Sequence, residues 1–278
     1  MPMVEPGQSP LRNLPMIDPS SSILLAVDAG VAVLTLNRPD VLNAFDAAMA
    51  ETFLARIEEI AARRDVRAIL LKGAGRGFCA GGDVSQFTAG GDPEAAIEAI
   101  IRPLHAGLKR LDELPQPAIA CLHGAVAGAG FSLALACDLA IAAESAKFTL
   151  AYARIGATPD GSGTYHLPRI VGMKKAKELA LLAETIDAGE ALRLGLINRT
   201  VPAEILDAEG MTLARRLAAG PTQAYGRIKA LLGASLSHSL GDQLDAERDA
   251  FHASTRTADF GEGVSAFLEK RPARFTGL

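Results

Sequence analysis

The 278-residue chain carries 28 Lys and Arg against 32 Asp and Glu, a formal net charge of −4, with a pI of about 5.8. That balance, with no Lys/Arg tract, excludes a general nucleic-acid binder. Hydrophobic residues make up 49% of the chain, enough for a sizeable core in one large domain, with or without a small appendage. The longest apolar stretch, Phe131 to Ala143, is interrupted by Asp138 and too short to span a membrane.

Residues 1–21 hold Pro2, Pro6, Pro10, Pro15 and Pro19 with little apolar content. They read as a flexible tail and lack the basic start and apolar centre of a signal peptide. Ile23 to Val27 and Val31 to Asn37 are β-rich runs around Asp28-Ala29-Gly30, a hairpin pattern. Asp46 is placed to cap a helix running to about Arg63, with Met49, Phe53, Ile57 and Ile60 on one face. Ala68 to Lys72 reads as a buried strand. It delivers a glycine turn, Arg76-Gly77-Phe78-Cys79-Ala80-Gly81-Gly82-Asp83, and Asp83 is placed to cap the short helix after it. Gly90-Gly91-Asp92-Pro93 is a break, and a helix follows from about Glu94 to Leu114. Ala118 to Leu122 is the next strand. It delivers a second glycine turn, His123-Gly124-Ala125-Val126-Ala127-Gly128-Ala129-Gly130-Phe131.

Gly128 to Ala136 reads as a helix, Asp138 to Ala142 as a strand and Lys147 to Leu150 as another. Helices are expected over Gly161 to Ile170, Met173 to Ala183 and Ala188 to Leu194, the last closed by Gly195. Asn198 to Val201 is a last strand. Helices at about Ala203 to Ala219, Thr222 to Ala234, Ser239 to Ser254 and Thr257 to Lys270 complete the chain. The organisation expected is a tail (1–21), an α/β core (22–202) and a helical region (203–278).

The three cysteines, Cys79, Cys121 and Cys137, sit in apolar or glycine-rich segments without metal spacing, the pattern of reduced thiols in a cytoplasmic protein. The histidines are scattered, with no metal-ligand pattern. The two glycine turns are the distinctive feature. Each follows a buried strand and leads into a helix start, where free N–H groups favour negative charge. Two such turns meeting in space, each aiming one amide at a common point, make an oxyanion hole. One turn alone is equally a tight strand-to-helix connection.

Taken with Leu36-Asn37-Arg38-Pro39, Leu42-Asn43-Ala44 and Cys137-Asp138-Leu139-Ala140, the two turns resemble, from about Ile23 to the C-terminus, the crotonase superfamily of enoyl-CoA hydratases and isomerases. The resemblance implies an α/β spiral of ββα units followed by a helical oligomerisation region, in a homotrimer or dimer of trimers. It also implies an acyl-CoA substrate, with coenzyme A part of the substrate rather than a cofactor, and no metal, nucleic-acid or membrane partner. The backbone amides of Ala80 and Ala129 are the implied hole donors, stabilising a thioester enolate. Implied contacts to coenzyme A are the adenine near Ala80 and Asp83, the pantetheine near Asn43 and Ala44, and a phosphate at Lys270. The stretch from Asp83 to about Ala96 corresponds to a variable flap over the acyl group.

A hole does not move a proton, so an acid or base is needed as well. Ser132 and Tyr152 stand where hydratases carry the two glutamates that hold the attacking water, and neither serves as a base near neutral pH. The next carboxylate is Asp160. On local grounds it caps a helix beginning at Gly161; on the resemblance it is the acid/base of the pocket. The branch that places its carboxylate here comprises the ring-epoxide isomerases of phenylacetate degradation, which turn 2-(1,2-epoxy-1,2-dihydrophenyl)acetyl-CoA into an oxepin-CoA. The leading expectation is therefore an acyl-CoA isomerase with Asp160 as sole proton shuttle. The alternatives are a hydratase or dienoyl-CoA isomerase using other residues, and a non-catalytic acyl-CoA binding protein.

Overall fold

A computed structural model describes residues 20–88 and 91–278; residues 1–19 of the expected tail lie outside the described residues. Strands β1 (Ile23–Asp28) and β2 (Val31–Leu36) form the expected hairpin. Its two turn residues, Ala29 and Gly30, both take positive φ, 47° and 81°, the signature of a type I′ turn. Helix α1 (Ala47–Ala61) starts where Asp46 accepts from the Met49 N–H at 2.8 Å, and it buries Met49, Phe53, Ile57 and Ile60. Strand β3 (Ala68–Gly73) leads to the single-turn helix α2 (Val84–Phe87). Helix α3 (Pro93–Glu113) is capped by the Asp92 side chain. Its first residue is a proline, whose missing N–H costs nothing there.

Strand β4 (Ala118–Leu122), strand β5 (Ala125–Ala127), helix α4 (Ala129–Ala136), strand β6 (Leu139–Ala143) and strand β7 (Lys147–Thr149) follow. A 3-10 turn, Ala151–Ile155, precedes helix α5 (Gly163–Leu182). Gly172 breaks α5 with φ 75° and ψ 158°, which accounts for the two helical patterns in the sequence. Strand β8 (Ile186–Asp187), helix α6 (Ala188–Arg193) and strand β9 (Arg199–Val201) complete the sheets. Helices α7 (Leu206–Ala218), α8 (Thr222–Ala234), α9 (Leu240–Thr255) and α10 (Ala258–Glu269) close the chain.

Six strands form one sheet in the order β1-β2-β3-β4-β6-β9, antiparallel between β1 and β2 and parallel elsewhere. Three short strands form a second sheet, β5-β7-β8. The sequence pattern omits β5 and β8; with three and two residues they are too short to show alternation, and pairing with distant partners makes them strands. The parallel strands are buried on both faces. Ile69, Leu71, Ala120 and Leu122 face the main core with α1 and α3, while Ala68, Leu70, Ile119 and Cys121 face Leu206, Ala214 and Ala218 of α7. Successive residues of one strand thus serve opposite layers. Both glycine turns leave the C-terminal ends of neighbouring parallel strands, β3 and β4, where open α/β sheets place their ligands.

Candidate active site

The two glycine turns do meet. Phe78 N–H donates to His123 O at 2.8 Å, Cys79 N–H to Ala125 O at 3.1 Å, and Ala127 N–H returns to Cys79 O at 2.9 Å. The approach is close enough to require glycine. A Cβ at Gly124, where φ is +54°, would lie 2.0 Å from Arg76 O, and one at Gly130 would lie 2.4 Å from Cys79 O. Cys79 is fully buried between the turns; desolvation pushes its thiol up to about 12, so it stays protonated and packs.

Ala80 is not free to act as a hole donor: its N–H donates to Leu42 O at 2.9 Å. This corrects the sequence-based assignment, and the neighbouring register supplies the replacement. Phe45 forms a parallel bridge with Gly82, receiving from Asp83 N–H and donating to Gly81 O, each at 2.8 Å. In that arrangement residues 81 and 83 take both bonds, so the Gly82 N–H points to the opposite side. Gly82 lines a cavity of about 420 Å³, and among the described residues its N–H has no acceptor. Ala129 lines the same cavity. As the first residue of α4 it carries one of the amides a helix cannot satisfy internally. Gly81 stands between them, where a Cβ would lie 3.4 Å from Ala129 N.

In the segment expected to contact coenzyme A, the polar side chains are engaged within the fold. Asn43 is fully buried. Its Nδ2 donates to Ala74 O at 2.9 Å, Gly77 O at 2.8 Å and Phe78 O at 3.1 Å, while its Oδ1 accepts from Arg38 N–H at 2.8 Å. Arg38 in turn donates to Ala44 O and pairs with Asp46 at 2.9 Å and Asp83 at 3.2 Å. Asn43 and Arg38 therefore clamp the first glycine turn, and the Asn43 side chain and the Ala44 carbonyl are already engaged. Asp83 makes no helix-capping bond. Ser85 Oγ donates to it at 2.6 Å, and this bond first, then Arg38, holds its carboxyl below the ordinary value. Lys270 ends α10 at φ 55° and is exposed, away from the lining of the 420 Å³ cavity.

Asp160 does line that cavity, with Tyr152 beside it and Phe87, Ile97, Ile101 and Ile155 forming an apolar wall. It does not cap a helix: α5 begins two residues later than expected, with Ser162 at the cap position. The carboxylate instead accepts a short hydrogen bond from Tyr152 Oη. Burial, then the Asp160 charge and the bond to it, push the Tyr152 phenol far above its ordinary value; nearby Ser132 opposes the shift in part. The phenol therefore keeps its proton and donates it to Asp160. Ser132 is fully buried, and its Oγ has no hydrogen-bond partner of ordinary geometry. Behind the loop, Gly161 N–H donates to His105 Nε2 at 3.2 Å. Two residues of this cavity, Gly82 with its open amide and Tyr152 as partner of Asp160, are missing from the sequence assignment. For Tyr152 a signal existed, since it stands at a hydratase glutamate position; for Gly82 only the Phe45 register tells.

Two amides free of protein acceptors, one carboxylate and an apolar wall around one cavity are the equipment of an enzyme acting on an apolar carbonyl substrate. The family model for "Enoyl-CoA hydratase/isomerase" matches residues 26–277, and the chain belongs to that family, with the crotonase fold. It is 44% identical to a Rhodobacter capsulatus protein described as a "probable enoyl-CoA hydratase", over 92% of this chain and 98% of that one. It is 42% identical to the 1,2-epoxyphenylacetyl-CoA isomerase of Escherichia coli K12, with the same coverage. The crystal structure of an enoyl-CoA hydratase from Polaromonas sp. JS666 superposes with a TM-score of 0.86 at 34% identity, covering 91% of this chain and 99% of that one.

Proposed function

We propose that this protein is an acyl-CoA isomerase. The thioester oxygen would sit between the Gly82 and Ala129 amides, which stabilise the enolate formed when the α-proton leaves. Each such donor typically contributes about 3 kcal/mol to lowering the barrier. Asp160 takes the proton and returns it at another carbon; one base suffices for a 1,3-shift. The observation that carries this reading is that, among the described residues, Asp160 is the one carboxylate on the wall that also holds Gly82 and Ala129. Ser132 and Tyr152 leave no glutamate pair to hold a water. The similarity to an epoxyphenylacetyl-CoA isomerase and the apolar wall favour an aromatic or other ring-bearing acyl group. Coenzyme A would lie outside the cavity, with the Ala80 carbonyl available to the adenine and Lys270 to a phosphate.

The similarity to a protein described as a hydratase favours a second reading, water addition to a 2-enoyl thioester. One experiment separates the two. A panel of acyl-CoAs, including ring-1,2-epoxyphenylacetyl-CoA and a 3-enoyl-CoA, is incubated in deuterium oxide and the products followed by mass and NMR. Isomerisation with deuterium entering the α- or γ-carbon is expected, reduced by about 10² to 10⁴ in Asp160→Asn. Accumulation of 3-hydroxyacyl-CoA at an enzymatic rate, or wild-type exchange in Asp160→Asn, would overturn the isomerase assignment.

A further inference from the structure

Tyr152 closes the loop that carries Asp160 from two sides. Its carbonyl accepts the Ala157 N–H at 3.1 Å, and its hydroxyl donates to Asp160 Oδ1. Among the described residues Asp160 Oδ2 has no hydrogen-bond partner, and Asp160 faces the cavity that holds Gly82 and Ala129. A carboxylate on a loop with two equivalent oxygens and free rotation would present either oxygen at many angles. Here one oxygen is held by a rigid aromatic side chain whose own position is fixed on the 3-10 turn.

We propose that Tyr152 is the positioning residue of this active site: its hydroxyl occupies Asp160 Oδ1 and so presents Oδ2 as the atom that takes and returns the substrate proton. This rests on the reading of Asp160 as the base. The phenol cannot compete for that role, because burial and the Asp160 charge keep its proton in place. The groups that meet the loop are Tyr152 itself, His105 of α3 through the Gly161 amide, and the uncharged Ser132 of α4, which lies against Gly161 and Gly163. Tyr152 is the one that donates to the carboxylate.

The test is Tyr152→Phe in the full chain, with kcat and KM measured for double-bond migration in a 3-enoyl-CoA, beside Asp160→Asn. The expected result for Tyr152→Phe is a kcat lower by about 10-fold with KM within about 2-fold. If Tyr152→Phe melts early, Tyr152→Gln, whose amide can still donate, is compared with Tyr152→Leu, and the former should retain more activity at matched melting temperature. An unchanged kcat in Tyr152→Phe, with Asp160→Asn inactive, would show that Tyr152 only fills space while the base assignment stands. Wild-type activity in Asp160→Asn would remove the base assignment and the positioning role together.

Discussion

Replacing Asn43 by alanine tests whether this residue is a clamp on the first glycine turn. Its side chain makes four contacts of hydrogen-bond length, three donated to Ala74, Gly77 and Phe78 carbonyls and one accepted from Arg38. With two amide hydrogens the three donations share about two full bonds. Alanine therefore removes about three bonds from buried groups, each loss typically costing about 1–2 kcal/mol, or about 3–6 kcal/mol together. Asn43 also holds φ at 57°, a left-handed conformation that asparagine tolerates and alanine resists by about 1–2 kcal/mol. Against a typical total stability of about 5–15 kcal/mol, the variant should unfold at much lower urea. Asn43→Gly loses the same bonds without the backbone strain, so its midpoint should fall between those of Asn43→Ala and wild type. Urea unfolding followed by circular dichroism at fixed protein concentration reads both differences. A loss below about 1 kcal/mol for Asn43→Ala, together with weakened coenzyme A binding, would refute the clamp and return Asn43 to the ligand.

The hole assignment predicts that Gly82→Pro and Ala129→Pro, which remove the N–H, abolish turnover in folded protein, while Ala129→Ser, which keeps it, has a far smaller effect; equal losses for proline and serine would sink the assignment. Asp83 is held below its ordinary value chiefly by Ser85 and then by Arg38. Its contribution is therefore present above the unfolded carboxylate range and lost as pH falls through the folded value. The urea midpoint of wild type should drop more steeply below about pH 4 than that of Ser85→Ala, and parallel curves would contradict this. On the C-terminal helices Leu232, Leu240, Leu244, Phe251, Phe267 and Leu268 are each more than half exposed. That apolar surface is large for a monomer. Light scattering at micromolar protein should give a trimer or a dimer of trimers, and a monomer mass would exclude it.

Much of the fold is legible in the sequence because its causes are local. Asp46 announces a helix start, Gly195 announces a helix end, and Ala68 to Lys72 and Ala118 to Leu122 read as buried strands. Each depends on residues within a few positions of itself. Each glycine turn was legible after a buried strand and before a helix start; the parallel pairing of β3 with β4, which brings the turns together, is a tertiary fact. Leu213 and Leu217 show the limit of such reading. A helical stripe does not say which surface will cover it, and here the two pack on their own sheet through α7.

The sequence by itself determined the family, the two glycine turns, Ala129 as a cavity amide and Asp160 as the carboxylate to watch. Tertiary structure decided which amide of the first turn is free, what Asn43 holds and where the Asp160 carboxylate points. The amide of Ala80 is taken by Leu42 and that of Gly82 is left open because Phe45 pairs in one register and not the next. Asp160 turns to Tyr152 rather than to a helix end because α5 starts beyond it. In each case the deciding partner is set by the register of chain pairing or the placement of a helix start, and a shift of one residue in either reassigns every N–H along the segment.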